Sequence, residues 1–299
     1  MHHEAIEELK TIKDYIRYCV SRFLDADICF GHGIETPIEE ALELVLGALK
    51  LPREMDPFFF DSALTTSERK AVIEMLQKRV VTRTPLAYLT KEALFAGYSF
   101  YVDERVLVPR SPIAEIIDAG FQPWYCDKEP SRILDLCTGS GCIAIACAYA
   151  FPDARIDAID ISADAIEVTK INIEKHGAET LVRPIQSDLF KGVAGEKYDI
   201  IVSNPPYVDQ RDMDALPEEF KHEPELGLAA GEDGLDIVHQ ILSEAKEHLN
   251  EGGILIVEVG NSQDALVESY PQLPFYWLEF THGGHGVFML TEQQLKEFF

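Results

Sequence analysis

The sequence predicts an α/β fold: a parallel sheet of short buried strands, reached through a β-hairpin and fronted by a small helical domain. Three features predict it. Residues 132–150 run strand, glycine loop, helix, the opening of a nucleotide-binding βαβ unit. Successive apolar runs then end on a polar residue, at Asp160, Asp188 and Asn204, as strands do when their carboxyl ends face a ligand crevice. Before residue 85 the apolar residues instead recur every three or four positions, the period of amphipathic helices.

In chain order, Ile6, Leu9, Ile12, Ile16, Val20 and Phe23 share one face and predict one helix. Pro37 to Leu49 predicts another, with Pro in its first turn. Thr65 and Glu68 fit a capping box opening a third helix through Val80. This domain, residues 1–90, carries no catalytic constellation; docking a partner, lidding a pocket and structural support are all open to it. Phe95, Tyr98, Phe100, Tyr101 and Val102 around Gly97 predict a hairpin linker at 91–110. The rigid turn Pro109-Arg110-Ser111-Pro112 then leads into the domain 111–299, which begins with a helix from Ile113 to Phe121. Strands are predicted at Arg132–Leu136, Arg155–Ile159, Leu181–Gln186, Tyr198–Ser203 and Gly252–Gly260, with a final antiparallel pair at Phe275–Thr281 and Val287–Leu290. That makes seven. Helices are predicted at Cys142–Ala150, at Asp164–His176 with Gly177 as C-cap, and at Gly234–Leu249.

The tetrapeptide Asn204-Pro205-Pro206-Tyr207 leaves the strand Tyr198–Ser203. Chance supplies it on the order of once in a thousand chains of this length. Its residue types suit methylation of a planar nitrogen. An amide or aminopurine NH2 is a poor nucleophile because its lone pair is delocalised. Two fixed acceptors, the Asn204 side-chain oxygen and the Pro205 carbonyl, can hold both N–H bonds and aim that lone pair. Pro206 stiffens the turn, and Tyr207 offers a ring face to a flat group. Standing alone, the same residues read as a proline turn after a strand.

A second site lies upstream. In Cys137-Thr138-Gly139-Ser140-Gly141 the glycines permit close backbone approach, and the helix N-terminus behind them favours a carboxylate. Asp160, about two dozen residues on, stands where such folds grip a ribose diol. Asp188 can accept from an adenine amino group while Leu189 covers the ring; Asp188 also reads as an ordinary strand-end residue. Dinucleotide dehydrogenases share this plan, but the loop has two glycines and not the three of their fingerprint.

Composition sets limits. Hydrophobic residues make up 46% of the 299, which suits a globular chain long enough for two domains. No apolar run approaches a membrane span and residues 1–10 hold no signal core, so the cytoplasm is expected. The six cysteines and nine histidines fit no metal spacing or disulfide framework. All six cysteines are expected to be small buried residues, although Cys142 sits at a helix start, where thiol pKa values can fall. The net charge is −26, unevenly spread: residues 1–110 hold 14 basic and 18 acidic residues, the rest 12 and 34. Such a surface repels duplex DNA and attracts a basic protein. It also serves plain solubility.

Taken together, Thr138-Gly139-Ser140-Gly141, Asp160, Asp188 and Asn204 to Tyr207 resemble the S-adenosylmethionine-dependent methyltransferases, which are Rossmann-like with a seven-stranded sheet. With the helical front domain, the chain resembles the protein glutamine methyltransferases. Arg110-Ser111-Pro112-Ile113, Cys137 and His222-Glu223-Pro224-Glu225-Leu226-Gly227-Leu228 resemble the branch acting on ribosomal protein three of the large subunit. So does Trp277-Leu278-Glu279-Phe280. The other branch modifies the Gly-Gly-Gln loop of peptide release factors.

The resemblance implies S-adenosylmethionine as methyl donor, S-adenosylhomocysteine as product, and no metal. Asp135, Thr138, Gly139, Ser140, Gly141, Asp160, Ile161, Asp188, Leu189 and Asn204 would border the cofactor. Asn204, Pro205 and Tyr207 would carry the chemistry, and with Pro206 and Arg110 would border the substrate. Glu115 would border the pocket too, whereas Arg110 can instead pair across its turn, and Glu258 reads as structural. The implied partner is the basic ribosomal protein, with no DNA or membrane. A release-factor enzyme, a DNA adenine-N6 methyltransferase and a non-catalytic ribosome assembly factor are the alternatives. The position of the modified glutamine and the oligomeric state are not written in the chain.

Overall fold

A computed structural model describes residues 2–126 and 128–299, with the backbone alone at residue 2. The chain divides into two compact units, Met1–Glu92 with Pro217–His222, and Ala93–Leu216 with Glu223–Phe299.

The first unit is helical. Its helices span His2–Glu8, Ile12–Asp25, Pro37–Leu49, Thr66–Thr82 and Leu86–Thr90. The single helix predicted over 6–23 is two. Thr11 accepts from the Asp14 backbone while the Asp14 carboxylate accepts from the Thr11 backbone, a closed capping box that starts a new helix. The face buried beyond it is Ile12, Tyr15, Cys19 and Phe23. Thr65 and Glu68 form the expected box. Buried Arg79 donates to Glu40, and Glu219, also buried, accepts from Cys29 N at 3.0 Å and Arg83 at 3.0 Å. These bonds hold Pro217–His222 among the helices.

The second unit begins with an antiparallel hairpin, β1 (Ala93–Phe95) and β2 (Tyr98–Phe100). A seven-stranded sheet follows: β3 (Arg132–Leu136), β4 (Arg155–Asp160), β5 (Val182–Gln186), β6 (Tyr198–Ser203), β7 (Leu249–Glu258), β8 (Tyr276–Trp277) and β9 (Val287–Thr291). Its order is β5-β4-β3-β6-β7-β9-β8, with the first five strands parallel and β9 antiparallel to both neighbours. All six residues of β6 are buried, as expected of a central parallel strand covered on both faces. Alternate residues supply two cores. Ile133, Ile156, Ile200, Val202 and Ile256 face one way; Leu134, Leu136, Ile201, Leu255 and Val257 face the other. The Cys142–Ala150 helix packs its small side chains into the first core. The Asp236–His248 helix covers the second. No helix of the described residues is long and apolar enough to cross a membrane.

The cysteines depart from expectation at Cys126, which is exposed; Cys29 and Cys137 are half-buried and the other three buried. Cys142 does open a helix, yet burial pushes its thiol up to about 12. Desolvation outweighs the helix end there.

Candidate active site

The chain enters the parallel sheet at β3, then adds β4 on one side and, later, β6 on the other. The connections at the carboxyl end of β3 therefore diverge and leave a crevice, where open α/β sheets bind ligands. Register puts Leu136 beside Ile159 of β4 and Ser203 of β6. The glycine loop, Asp160 and Asn204 thus leave the sheet side by side. Thr138 N donates to Ile159 O at 2.9 Å and Ser187 N to Asp160 O at 2.9 Å, extending the ladders past the strand ends.

The loop is held by buried polar side chains. Asp135 lies beneath it, fully buried, and its Oδ2 accepts from the Thr138 hydroxyl and from Ala144 N. Thr169 donates to Gly139 O at 2.9 Å, and Asn172 donates to Ser140 O at 2.8 Å. Gly141 has φ +80°, and a Cβ on it would stand 2.8 Å from the Thr169 methyl. Only glycine fits this bend without strain. Asp160 accepts from Gly139 N and from Ser162 N, both at 2.9 Å. A carboxylate has about four lone-pair sites, so acceptor capacity remains on it. Burial raises the Asp160 carboxyl above its usual range. The same cause takes Asp135 up to about 7.

The loop, Asp160 and Asn204 open on one cleft. Of the expected site residues, Gly139, Asp160, Ile161, Asp188, Leu189, Asn204 and Pro206 line it. Ile159, Ala165 and Ile237 add apolar surface. Acceptors for a diol, apolar side chains for a flat base and a close-lying backbone loop fit the methyl donor that the resemblance implies. Asp135 beneath the loop and Thr138 and Ser140 within it are buried and hold its shape instead. Asp188 lies at the surface, paired with Lys191.

The Asn204 Oδ1 atom is buried with no hydrogen-bond partner among the described residues. A buried acceptor with no donor is costly in a finished fold, and this one belongs to a residue of the cleft lining. Tyr207 takes a different place from the one its sequence suggests. Its hydroxyl donates to Glu258 Oε1 at 2.9 Å, and its ring lies against Gly260. Arg110 donates to both oxygens of Glu223, at 2.6 and 2.8 Å, and Glu115 accepts from Thr281 N and His282 N. Each of those side chains ties a loop.

The remaining wall lies outside the residues expected to form the site. Val106, Leu107, Pro224, Leu226, Gly227 and Ala229 line the cleft. Val208 joins them to the turn: its N–H donates to Leu228 O at 2.8 Å, and its carbonyl accepts from Ala230 N at 3.1 Å. The one signal for this wall lies in the stretch His222 to Leu228, which carried the resemblance without an assigned role.

A crevice at the sheet's switch point, a cleft lined by the glycine loop and Asp160, and the unpartnered Asn204 oxygen in its lining are the layout of a Rossmann-like methyltransferase. Residues 125–225 match the methyltransferase small domain family. The ribosomal protein uL3 glutamine methyltransferase of Francisella tularensis is 49% identical over 296 residues, 99% of this chain and 94% of that protein. The enzyme of the same name from Neisseria gonorrhoeae is 50% identical over 297 residues, 99% of each chain. A methyltransferase structure from Pyrococcus furiosus aligns at 20% identity and TM-score 0.46, over 76% of this chain and 98% of that one. The chain belongs to the ribosomal protein uL3 glutamine methyltransferase family.

Proposed function

We propose that this protein methylates the side-chain amide nitrogen, N5, of a glutamine in ribosomal protein uL3, in the cytoplasm. The observation that carries the reading is the buried, unpartnered Oδ1 of Asn204 at the cleft. An amide NH2 is the donor that it lacks. The Pro205 carbonyl, one residue on, is the natural acceptor for the second N–H, and two fixed acceptors orient the nitrogen lone pair along one line. S-adenosylmethionine, when bound, supplies a methyl already activated by its sulfonium. The protein's own part is therefore positioning. Asp160 offers acceptors to the donor's ribose, and Leu189, Ile161 and Ile237 offer apolar surface to its base. Pro206 stiffens the turn that presents Asn204. The family of full-length relatives and the acidic catalytic half of the chain, 12 basic against 34 acidic residues, both support a basic ribosomal protein as partner.

The test is transfer of labelled methyl to isolated uL3 and to a peptide release factor side by side, with the modified residue located by mass spectrometry. Label on a uL3 glutamine is expected. Label on the release factor alone would keep the chemistry and overturn the substrate. In the same assay Asn204→Ala should lose about 100-fold or more in turnover, the scale of a lost positioning group, while its affinity for S-adenosylmethionine stays near that of the unmodified protein. Near-normal turnover in that variant would defeat the mechanism.

A further inference from the structure

We infer that Glu258 is a positioning residue for methyl transfer, acting through Tyr207 on the Asn204–Pro205 acceptor pair. It rests on reading those two residues as the acceptors of the substrate amide. Glu258 ends β7, the strand beside β6, and is buried at 5% exposure. Its two oxygens accept two hydroxyls: Oε1 from Tyr207 at 2.9 Å, and Oε2 from Ser111. Ser111 Oγ in turn accepts from Ile113 N at 3.2 Å, which leaves its proton free for Glu258. Burial pushes the Glu258 carboxyl above its usual range, while the two hydroxyls and Arg110 pull it back; both of its oxygens are engaged, and one of them holds the Tyr207 ring.

The turn depends on this grip because of its own composition. Pro205 and Pro206 have no N–H to donate, so the segment is fixed at its ends. At one end Ser203 donates to Leu136 O at 2.8 Å. At the other, Tyr207 is held by Glu258 through its hydroxyl and by Ser262, which donates to Tyr207 O at 2.9 Å. Gly260 closes the seat: its φ is +46°, and a Cβ there would stand 2.6 Å from the Tyr207 ring. Releasing the ring lets the stiff Pro-Pro link swing as one piece, and it carries the Pro205 carbonyl and Asn204 off line. A misplacement of about 1 Å costs on the order of 100-fold in rate.

Glu258→Gln keeps the shape, but its amide accepts from one hydroxyl and turns an N–H towards the other. Tyr207→Phe removes a single hydroxyl. Each variant should lower kcat on uL3 by about tenfold or more, with cofactor affinity unchanged within about twofold, and the double variant should be no worse than the worse single, as for residues acting as one unit. The Asn204 side-chain NH2 resonances, identified by their loss in Asn204→Ala, should shift in both single variants. Turnover within about twofold of normal in both, or effects that add in the double variant, would overturn the role. So would unmoved Asn204 resonances. The resonance measurement decides the role of Glu258 even where no transfer to uL3 is seen, and that second failure would count against the substrate reading instead.

Discussion

Asp135 sits under the glycine loop at 0% exposure, with one carboxylate oxygen bonded twice and Oδ1 without a partner among the described residues. Desolvation holds its carboxyl up at about 7, against about 3.9 in an unfolded chain. Between those values the folded protein keeps a proton that the unfolded chain releases. Stability from this group therefore falls as pH rises from about 4 to about 7, and is flat above. Asp135→Asn keeps an acceptor for Thr138 and Ala144 and replaces the bare oxygen by a neutral amide, so its own stability should not fall over that range. In urea unfolding at pH 5 and pH 8, the variant should gain on the unmodified protein as pH rises. A constant difference between the two would mean that Asp135 ionises normally, and the account of the loop's support would fail. The opposite outcome of burial is seen at Asp199, whose carboxyl is held well below its usual range. Ser131 N and Oγ, Arg132 N and Asn250 all donate to it and overcome desolvation.

Gly141 joins loop to helix, and it shows what an element junction demands. With φ at +80° and the Thr169 methyl 2.8 Å from where a Cβ would stand, Gly141→Ala pays for left-handed backbone and for contact at once. The expected loss is about 2 kcal/mol in urea unfolding, with weaker S-adenosylmethionine binding by calorimetry. Unchanged stability would show that the loop can relax. The strand–loop–helix order was legible because β3, β4 and β6 are short, largely buried apolar runs, and parallel central strands must read that way. Asn204 and Asp160 were legible for the same reason, as the polar residues on which those runs stop, and Gly139 through its glycine loop. The split at Thr11 was hidden because the apolar period continues across it, while the capping box that interrupts it uses two ordinary polar residues. Glu258 and the wall at Pro224–Ala229 were not legible as parts of the site. Tyr207 lies 51 residues from Glu258 in sequence, and the wall is placed by backbone bonds to Val208 that any residue type can make. Pro217–His222 is a similar case: nothing local announces that Glu219 closes an ion cluster with arginines more than 130 residues earlier.

Across the whole chain the governing quantity is charge. A net −26, of which residues 111–299 contribute 12 basic and 34 acidic side chains, is a long-range field and not a set of contacts. Such a field speeds encounter with a basic partner and suppresses wrong ones, while adding less to the affinity of the docked state. Its reach is set by salt, about 10 Å at 0.1 M and about 3 Å at 1 M. On the proposed mechanism the chemical step lies at the uncharged acceptors of Asn204 and Pro205, so salt should hardly touch it. Raising sodium chloride from 50 to 500 mM should therefore raise the KM for uL3 by about tenfold or more and leave kcat within about twofold. Duplex DNA should show no binding at the lower salt, where a phosphate-reading surface would bind most tightly. A KM for uL3 that stays flat with salt would mean that apolar docking selects the partner and that the acidic surface serves solubility. DNA binding at 50 mM would instead reveal a cationic face that the charge total conceals, and would reopen the choice between an amide and a base as the planar nitrogen at Asn204.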